Sequence, residues 1–247
     1  MGEEPKKRHR QFCCVVIDHT KGRVLDVLES REKEAVVRWL AAGRESGLLA
    51  GVEEVTCDMW DAYVEASKEV FGSTIRITID RFHVMKNFQD RLNEARREIQ
   101  RGLDKERARE LKGSRWLWVT NPENLTVEQG AQLEALKRKF PELGRLAQHR
   151  EALRQIFEDQ RLTTPAAAML RLREWCECGV KMGLNALKQF NKTLENWMDK
   201  IANYFVSRSS NGQTEGFNRG LRAVLWRACG MSNFCHFRLR VLHLFGS

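Results

Sequence analysis

Several things are missing from this chain of 247 residues, and each absence narrows its class. No apolar run approaches the ~20 residues that a membrane helix needs. The N-terminus lacks the basic, apolar and small-residue succession of a signal peptide. A cytoplasmic protein with no membrane partner is therefore expected. Metal-binding cysteine spacing is missing as well. The seven cysteines are an odd number, which fits reduced thiols better than a disulfide framework. Cys176 and Cys178 are too close for the usual zinc loop, and Cys229 and Cys235 have only His236 nearby, so no structural zinc is expected. There is no internal repeat and no low-complexity segment.

What is there is a core-forming, basic chain. The apolar share of 42% suffices for a packed interior. A net charge of +9 with 30% charged residues favours an anionic partner, nucleic acid first. The one dense basic cluster runs from Lys6 to Arg10 and reads equally as a phosphate contact or a solvated arm.

Strand and helix signals alternate in the first third. Phe12 to Asp18 is an apolar, β-branched strand, His19 to Gly22 a turn, and Arg23 to Ser30 an antiparallel partner. Ala35, Val36, Trp39 and Leu40 mark a helix within residues 31–47. Val52 to Cys57 is a third strand, Met59 to Phe71 a second helix, and Thr74 to Asp80 a fourth strand. This order predicts an α/β domain with a mixed sheet. From about Phe82 to Phe205 only helical periodicity remains, broken at Gly113, Pro122, Pro141, Pro165 and Gly183. Thr126 is placed to cap a helix through Glu128 and Gln129. A turn at Asn211 and Gly212 opens a further helix.

Four acids and bases stand out. Asp58 follows the third strand directly and has two readings: an N-cap for a helix beginning at Met59, or a ligand at the carboxyl end of a strand, where open α/β sheets place their sites. Asp80 has the same ambiguity at the fourth strand, and His83 lies one helical turn beyond it. Glu215 opens a helix with Gly216 and Gly220, whose helix penalty of roughly 1 kcal/mol each predicts a close neighbouring backbone. Arg219 and Arg222 follow at one-turn spacings and are candidate phosphate contacts, although a plain surface helix reads equally well. Trp116, Trp118, Trp175, Trp197 and Trp226 have the chemistry to stack on bases, but core packing is the more frequent use of each.

The segments "VTCDMWDAY", "ITIDRFHVMKNF", "LNEARREI", "LKGSRWLWV…PENLT" and "SNGQTEGFNRGLR" occur in an order that closely resembles bacterial insertion-sequence transposases of the ISL-three family, over nearly the whole chain. The resemblance implies a ribonuclease H-like α/β domain with a large all-helical insertion: residues 1–85 the α/β part, 86–205 the insertion, 206–247 a helical return. It implies Asp-Asp-Glu chemistry on two divalent ions, usually magnesium, with Asp58 as the second Asp and Glu215 as the final Glu, both catalytic and metal-binding. Asp80 and His83 then match an accessory Asp-x-x-His element. The implied partner is DNA, at transposon ends and at the target, with Arg219 and Arg222 on the phosphates and the protein acting as a multimer.

The family's first acid has no counterpart. The resemblance places it upstream of Asp18, at the level of Met1, on a strand that Pro5 and the surrounding charge oppose. Asp18 borders a turn and is a poor substitute. The expectation is a sheet lacking its first strand, in a chain truncated relative to the family. The alternatives are a non-catalytic DNA-binding or regulatory derivative, and a helical interaction protein with no site.

Overall fold

The computed structural model describes residues 13–209, 212–227 and 233–246, with the backbone alone at 212–215 and 218. In chain order the elements are β1 (Cys14–Asp18), β2 (Arg23–Leu28), α1 (Lys33–Glu45), β3 (Glu54–Cys57), α2 (Asp61–Phe71) and β4 (Arg76–Ile79). Then come α3 (Arg81–Gly102), α4 (Lys105–Leu111), α5 (Arg115–Val119), α6 (Val127–Lys139), α7 (Pro141–Glu158) and α8 (Pro165–Val180). The last four are α9 (Asn185–Asn196), α10 (Met198–Ser207), α11 (Gly212–Arg227) and α12 (Phe234–Phe245). The chain divides into two compact units, residues 1–77 with 210–247 and residues 78–209.

In the first unit β1 and β2 form an antiparallel hairpin. Gly22, at φ 63°, closes the turn, and the Asp18 carboxylate accepts from the Lys21 amide. The register slips once, because Val16 opposes Asp26 while Ile17 opposes Val24. Leu25 is thus an extra residue in β2, a β-bulge. The bulge lets Val24 and Val27, three apart, share one face. They pack with Leu221 of α11 and with Phe237 and Val241 of α12. Leu25 and Leu28 turn to the other side, where Val36 and Leu40 of α1 and Ala66 of α2 form a second core. Helices therefore cover both faces of the hairpin.

Asp26 ties these layers together. It is 6% exposed, and its carboxylate accepts from the Trp39 indole at 2.7 Å and from both Nε and Nη2 of Arg238, the latter at 2.8 Å. Burial alone would raise this carboxyl, but the hydrogen bonds from Arg238, Trp39 and the Val27 amide outweigh it and hold Asp26 below the ordinary Asp range.

The expected single mixed sheet is not formed among the described residues. Four strands make two separate ladders, β1 with β2 and β3 with β4. No described strand joins the two pairs, and β1 is only half-buried along its whole length despite its apolar sequence. The class is α/β with small sheets and a large share of helix.

The second unit is helical from α3 onward. Val84, Phe88, Leu92 and Ala95 form the buried stripe of α3 at helical spacing. Phe88 meets Phe190 edge-on at 4.8 Å and Trp175 at 5.7 Å, and Trp175 stacks on His149 at 3.9 Å. Helix starts follow local rules: Asp104 caps α4, Thr126 and Gln129 form a capping box on α6, and Thr164 caps α8 with Pro165 at its first position. Arg208, left-handed at φ 55°, ends α10 and donates to the carbonyls of Phe157, Asp159 and Leu162, binding the end of α7 to the exit of this unit. No described helix is long and apolar enough to cross a membrane. None of the described cysteines is in a disulfide, and Cys229 lies outside the described residues.

Candidate functional site

Asp58 does not cap a helix at Met59. Helix α2 starts at Asp61, and its cap position belongs to Trp60, extended at φ −139° and without a side-chain cap bond. The cause is local. The Trp60 amide donates to the Asp58 carbonyl at 2.7 Å, a tight turn that keeps residues 58–60 out of the helix. The Arg31 guanidinium lies over the Trp60 ring at 4.4 Å and helps to hold it there. Asp58 is left as an exposed residue directly after the buried Cys57. Its charge reaches β1 and α2. Burial pushes the Cys14 thiol up to about 11, with Cys13 and Asp58 adding to the shift. Burial likewise raises Tyr63, reinforced by Cys14 and Asp58, so both groups stay protonated.

Asp80 stands at the N-cap of α3, yet its side chain makes no cap bond either. It is fully buried, and its carbonyl accepts from the amides of His83 and Val84. A carboxyl group taken wholly out of water is a costly placement that helix capping does not explain here. The His83 ring is half-buried and meets Phe82 edge-on at 5.5 Å. Asp80 and His83 belong to the second unit, Asp58 and α11 to the first.

Position 215 lies in the first turns of α11, but the Glu215 side chain is outside the described residues, as is Asn211. Arg219 and Arg222 are exposed. The two glycines of this helix differ. A Cβ at Gly220 would lie 2.6 Å from the Phe245 ring, whereas one at Gly216 would meet nothing within 4 Å. Close approach is therefore confined to Gly220, and the neighbour is an aromatic side chain rather than the backbone that the glycine spacing predicted.

Among the described residues no three His, Cys, Asp or Glu side chains come together as a metal site. Asp58 has the hard oxygen donors that a divalent ion prefers, but one exposed carboxylate does not make a centre.

With the geometry stated, comparison with known proteins decides the family. The family profile described as Transposase, for DDE transposases of the ISL-three group, matches residues 4–241. The chain belongs to the ISL-three transposase family. That match contains Asp58, Asp80, His83, Glu215, Arg219 and Arg222. Among curated relatives, a Bordetella parapertussis protein named as the transposase for insertion sequence element IS1001 is 26% identical over 244 residues, covering 95% of this chain and 57% of its own length. A Mycobacterium tuberculosis protein named as the transposase for insertion sequence element IS1557 is 29% identical over 175 residues, covering 61% of this chain and 39% of its own. The chain thus spans little more than half the length of these transposases at most. No solved structure matches it.

Two features of this family member were not singled out from its sequence. Asp26 and Arg238 are 212 positions apart, so no local pattern could pair them. The five tryptophans weighed for base stacking also divide: Trp118 and Trp175 are buried and Trp197 is intermediate, whereas Trp116 and Trp226 stand 67% and 84% exposed. A signal was available for Trp226, because the sequence from Gly216 onward contains no Asp or Glu.

Proposed function

We propose that this chain carries the catalytic acids of a DNA transposase that cleaves and joins phosphodiesters at insertion-sequence ends. In this reading residues 1–85 and 206–247 make a ribonuclease H-like part, and residues 86–205 are a helical insertion. The two compact units support that division, since the chain leaves the first unit after Ile77 and re-enters it at Ser210. Asp58 and Glu215 are the metal-holding carboxylates, Asp80 and His83 shape the strand-to-helix turn as accessory groups, and Arg219 and Arg222 hold DNA phosphates. The protein works on DNA as a multimer.

The observation that carries the reading is Asp58 itself, an exposed carboxylate directly after a strand, with the helix cap next to it taken by another residue. Divalent ions held there supply charge neutralisation at the phosphate and a more acidic attacking hydroxyl. The chain's own part is to hold those carboxylates, to keep Tyr63 and Cys14 protonated beside Asp58, and to fix phosphates with guanidinium groups.

The test is strand transfer with the element's terminal repeats in magnesium. Activity that disappears in Asp58→Asn and in Glu215→Gln, with both variants melting like the parent, supports the assignment. Activity that survives Asp58→Asn removes Asp58 from the site. DNA binding by the parent chain without any transfer favours a non-catalytic, DNA-binding derivative of the family.

A further inference from the structure

Helix α11 is held from one side. Phe217, Leu221 and Val224 pack into the core with Val24, Val27, Phe237 and Val241, and Gly220 leaves room for the Phe245 ring. Positions 217, 220, 221 and 224 recur at helical spacing, so they define one face. Positions 215, 219, 222 and 226 recur in the same way on the opposite face. There Arg219 and Arg222 are exposed and Trp226 is 84% exposed. The core on the other side is already filled, so Trp226 is not a misplaced packing residue.

The charge around it has one sign. From Gly216 to the C-terminus there is no Asp or Glu, while Arg219, Arg222, Arg227, Arg238 and Arg240 are present. Arg238 is engaged by Asp26, but Arg219, Arg222 and Arg227 make no ion pair with any described residue. A flat, electron-rich indole among unpaired guanidinium groups fits a polyanion that also offers aromatic faces.

We propose that this face of α11 binds a DNA strand, with Arg219 and Arg222 on its phosphates and Trp226 stacked on an unpaired base. The inference rests on the transposase reading and names what that reading leaves open: the form of DNA that the helix prefers. The helical rise puts Trp226 about 16 Å along the axis from position 215, roughly five nucleotide steps of a stacked strand. The stacked base therefore lies several nucleotides from the reacting phosphate, and Trp226 acts as a positioning residue.

The test uses the whole 247-residue chain and two oligonucleotides of one sequence, a full duplex and a forked duplex, each with one 2-aminopurine that is unpaired only in the fork. Binding is followed by anisotropy, and stacking by 2-aminopurine emission. The parent is expected to prefer the fork by about ten-fold and to change the emission of the unpaired base. Trp226→Ala should erase both the preference and the emission change while keeping duplex affinity, and Trp226→Phe should retain most of each. Arg222→Ala should weaken both probes and flatten the salt dependence. Equal affinity of Trp226→Ala and parent for the fork overturns the stacking role alone. A parent that binds neither probe overturns it together with the DNA contact assigned to Arg219 and Arg222. Self-association that depends on Trp226, with fork binding unchanged by Trp226→Ala, also overturns it, in favour of a second copy covering this face.

Discussion

Replacing His149 should flatten the stability of the helical unit in mildly acid solution. The His149 ring is 5% exposed and stacks on Trp175 at 3.9 Å. Its Nε2 is buried without a hydrogen-bond partner, and a Cβ on Gly179 would stand only 2.8 Å from that atom. A proton at Nε2 would therefore have no protein acceptor among the described residues. Burial lowers the imidazole from 6.5 to about 4. Below pH 6.5 the unfolded chain takes up a proton that the folded chain refuses until about pH 4, so stability is full above this window and falls as the pH drops through it. Between pH 7 and pH 5 the loss from this residue comes to about 2 kcal/mol. Favourable stacking of a charged imidazole on Trp175 would trim the figure by up to ~1 kcal/mol. Urea unfolding of the parent, His149→Gln and His149→Phe at both pH values isolates it, because every other titrating group is shared. The parent should lose about 2 kcal/mol more than either variant over that interval. Equal losses in parent and variants would refute the argument that His149 stays neutral when folded.

Arg238→Met should destabilise the first unit by about 3 kcal/mol in chemical denaturation, since it leaves the buried Asp26 carboxylate without its cation, whereas Asp26→Ala should cost less because the Arg238 side chain is 41% exposed and rehydrates. Because Asp26 is held below its ordinary pKa, this contribution is present at neutral pH and is lost as the pH falls through the lowered value, so the gap between parent and Asp26→Ala should narrow as the pH drops below the ordinary Asp range. The two α11 glycines should respond in opposite directions in thermal melts. Gly216→Ala, with open space around it, should stabilise by up to about 1 kcal/mol. Gly220→Ala, pressed against Phe245, should destabilise by about 1–3 kcal/mol. Thr126→Ala should cost about 1 kcal/mol through loss of the α6 capping box, measured by the same melts.

What could be read locally was read. The hairpin of β1 and β2, the Thr126 cap and the helix that begins at Pro165 each depend on a few neighbouring residues, and the structure places them as their patterns imply. The errors are non-local or lie between two competing local rules. Strand pairing across long separations decided that β1–β2 and β3–β4 remain separate ladders, and periodicity within a strand carries no information on that point. The start of α2 was misplaced because Asp58 and Asp61 both suit a helix beginning, and a contact from Arg31 to Trp60, remote in sequence, helps to settle which applies. For Trp226 the sequence leaves base stacking open and favours packing only by its frequency for the residue type. Its exposure follows from Phe217, Leu221 and Val224 already filling the inner face of α11, which a helical projection of the sequence could have shown.

The unused caps are the part of this fold that bears most directly on function. Asp104, Thr126, Thr164 and Asn233 each cap the helix that follows them, with side chains accepting from the first-turn amides. Each such cap contributes about 1 kcal/mol, but the use is not uniform, since Ser114 at the start of α5 and Asn121 before Pro122 hold cap positions without a side-chain cap bond. The two aspartates that directly follow a strand also do without a side-chain cap bond. Helix α2 begins three residues after Asp58 with Trp60 at its cap, and Asp80 occupies the cap of α3 with no cap bond from its side chain. One stands exposed at the end of β3 and the other fully buried at the end of β4. In the proposed transposase reading, an exposed acid at a strand end is what metal-dependent phosphodiester chemistry asks for at position 58. The buried acid of α3 is suited to fixing the geometry of a turn rather than to exchanging ions with solvent. In the proposed reading the two residues differ in role as they differ in burial, so Asp58→Asn should abolish transfer without loss of stability, while Asp80→Asn should be felt first in the melting temperature.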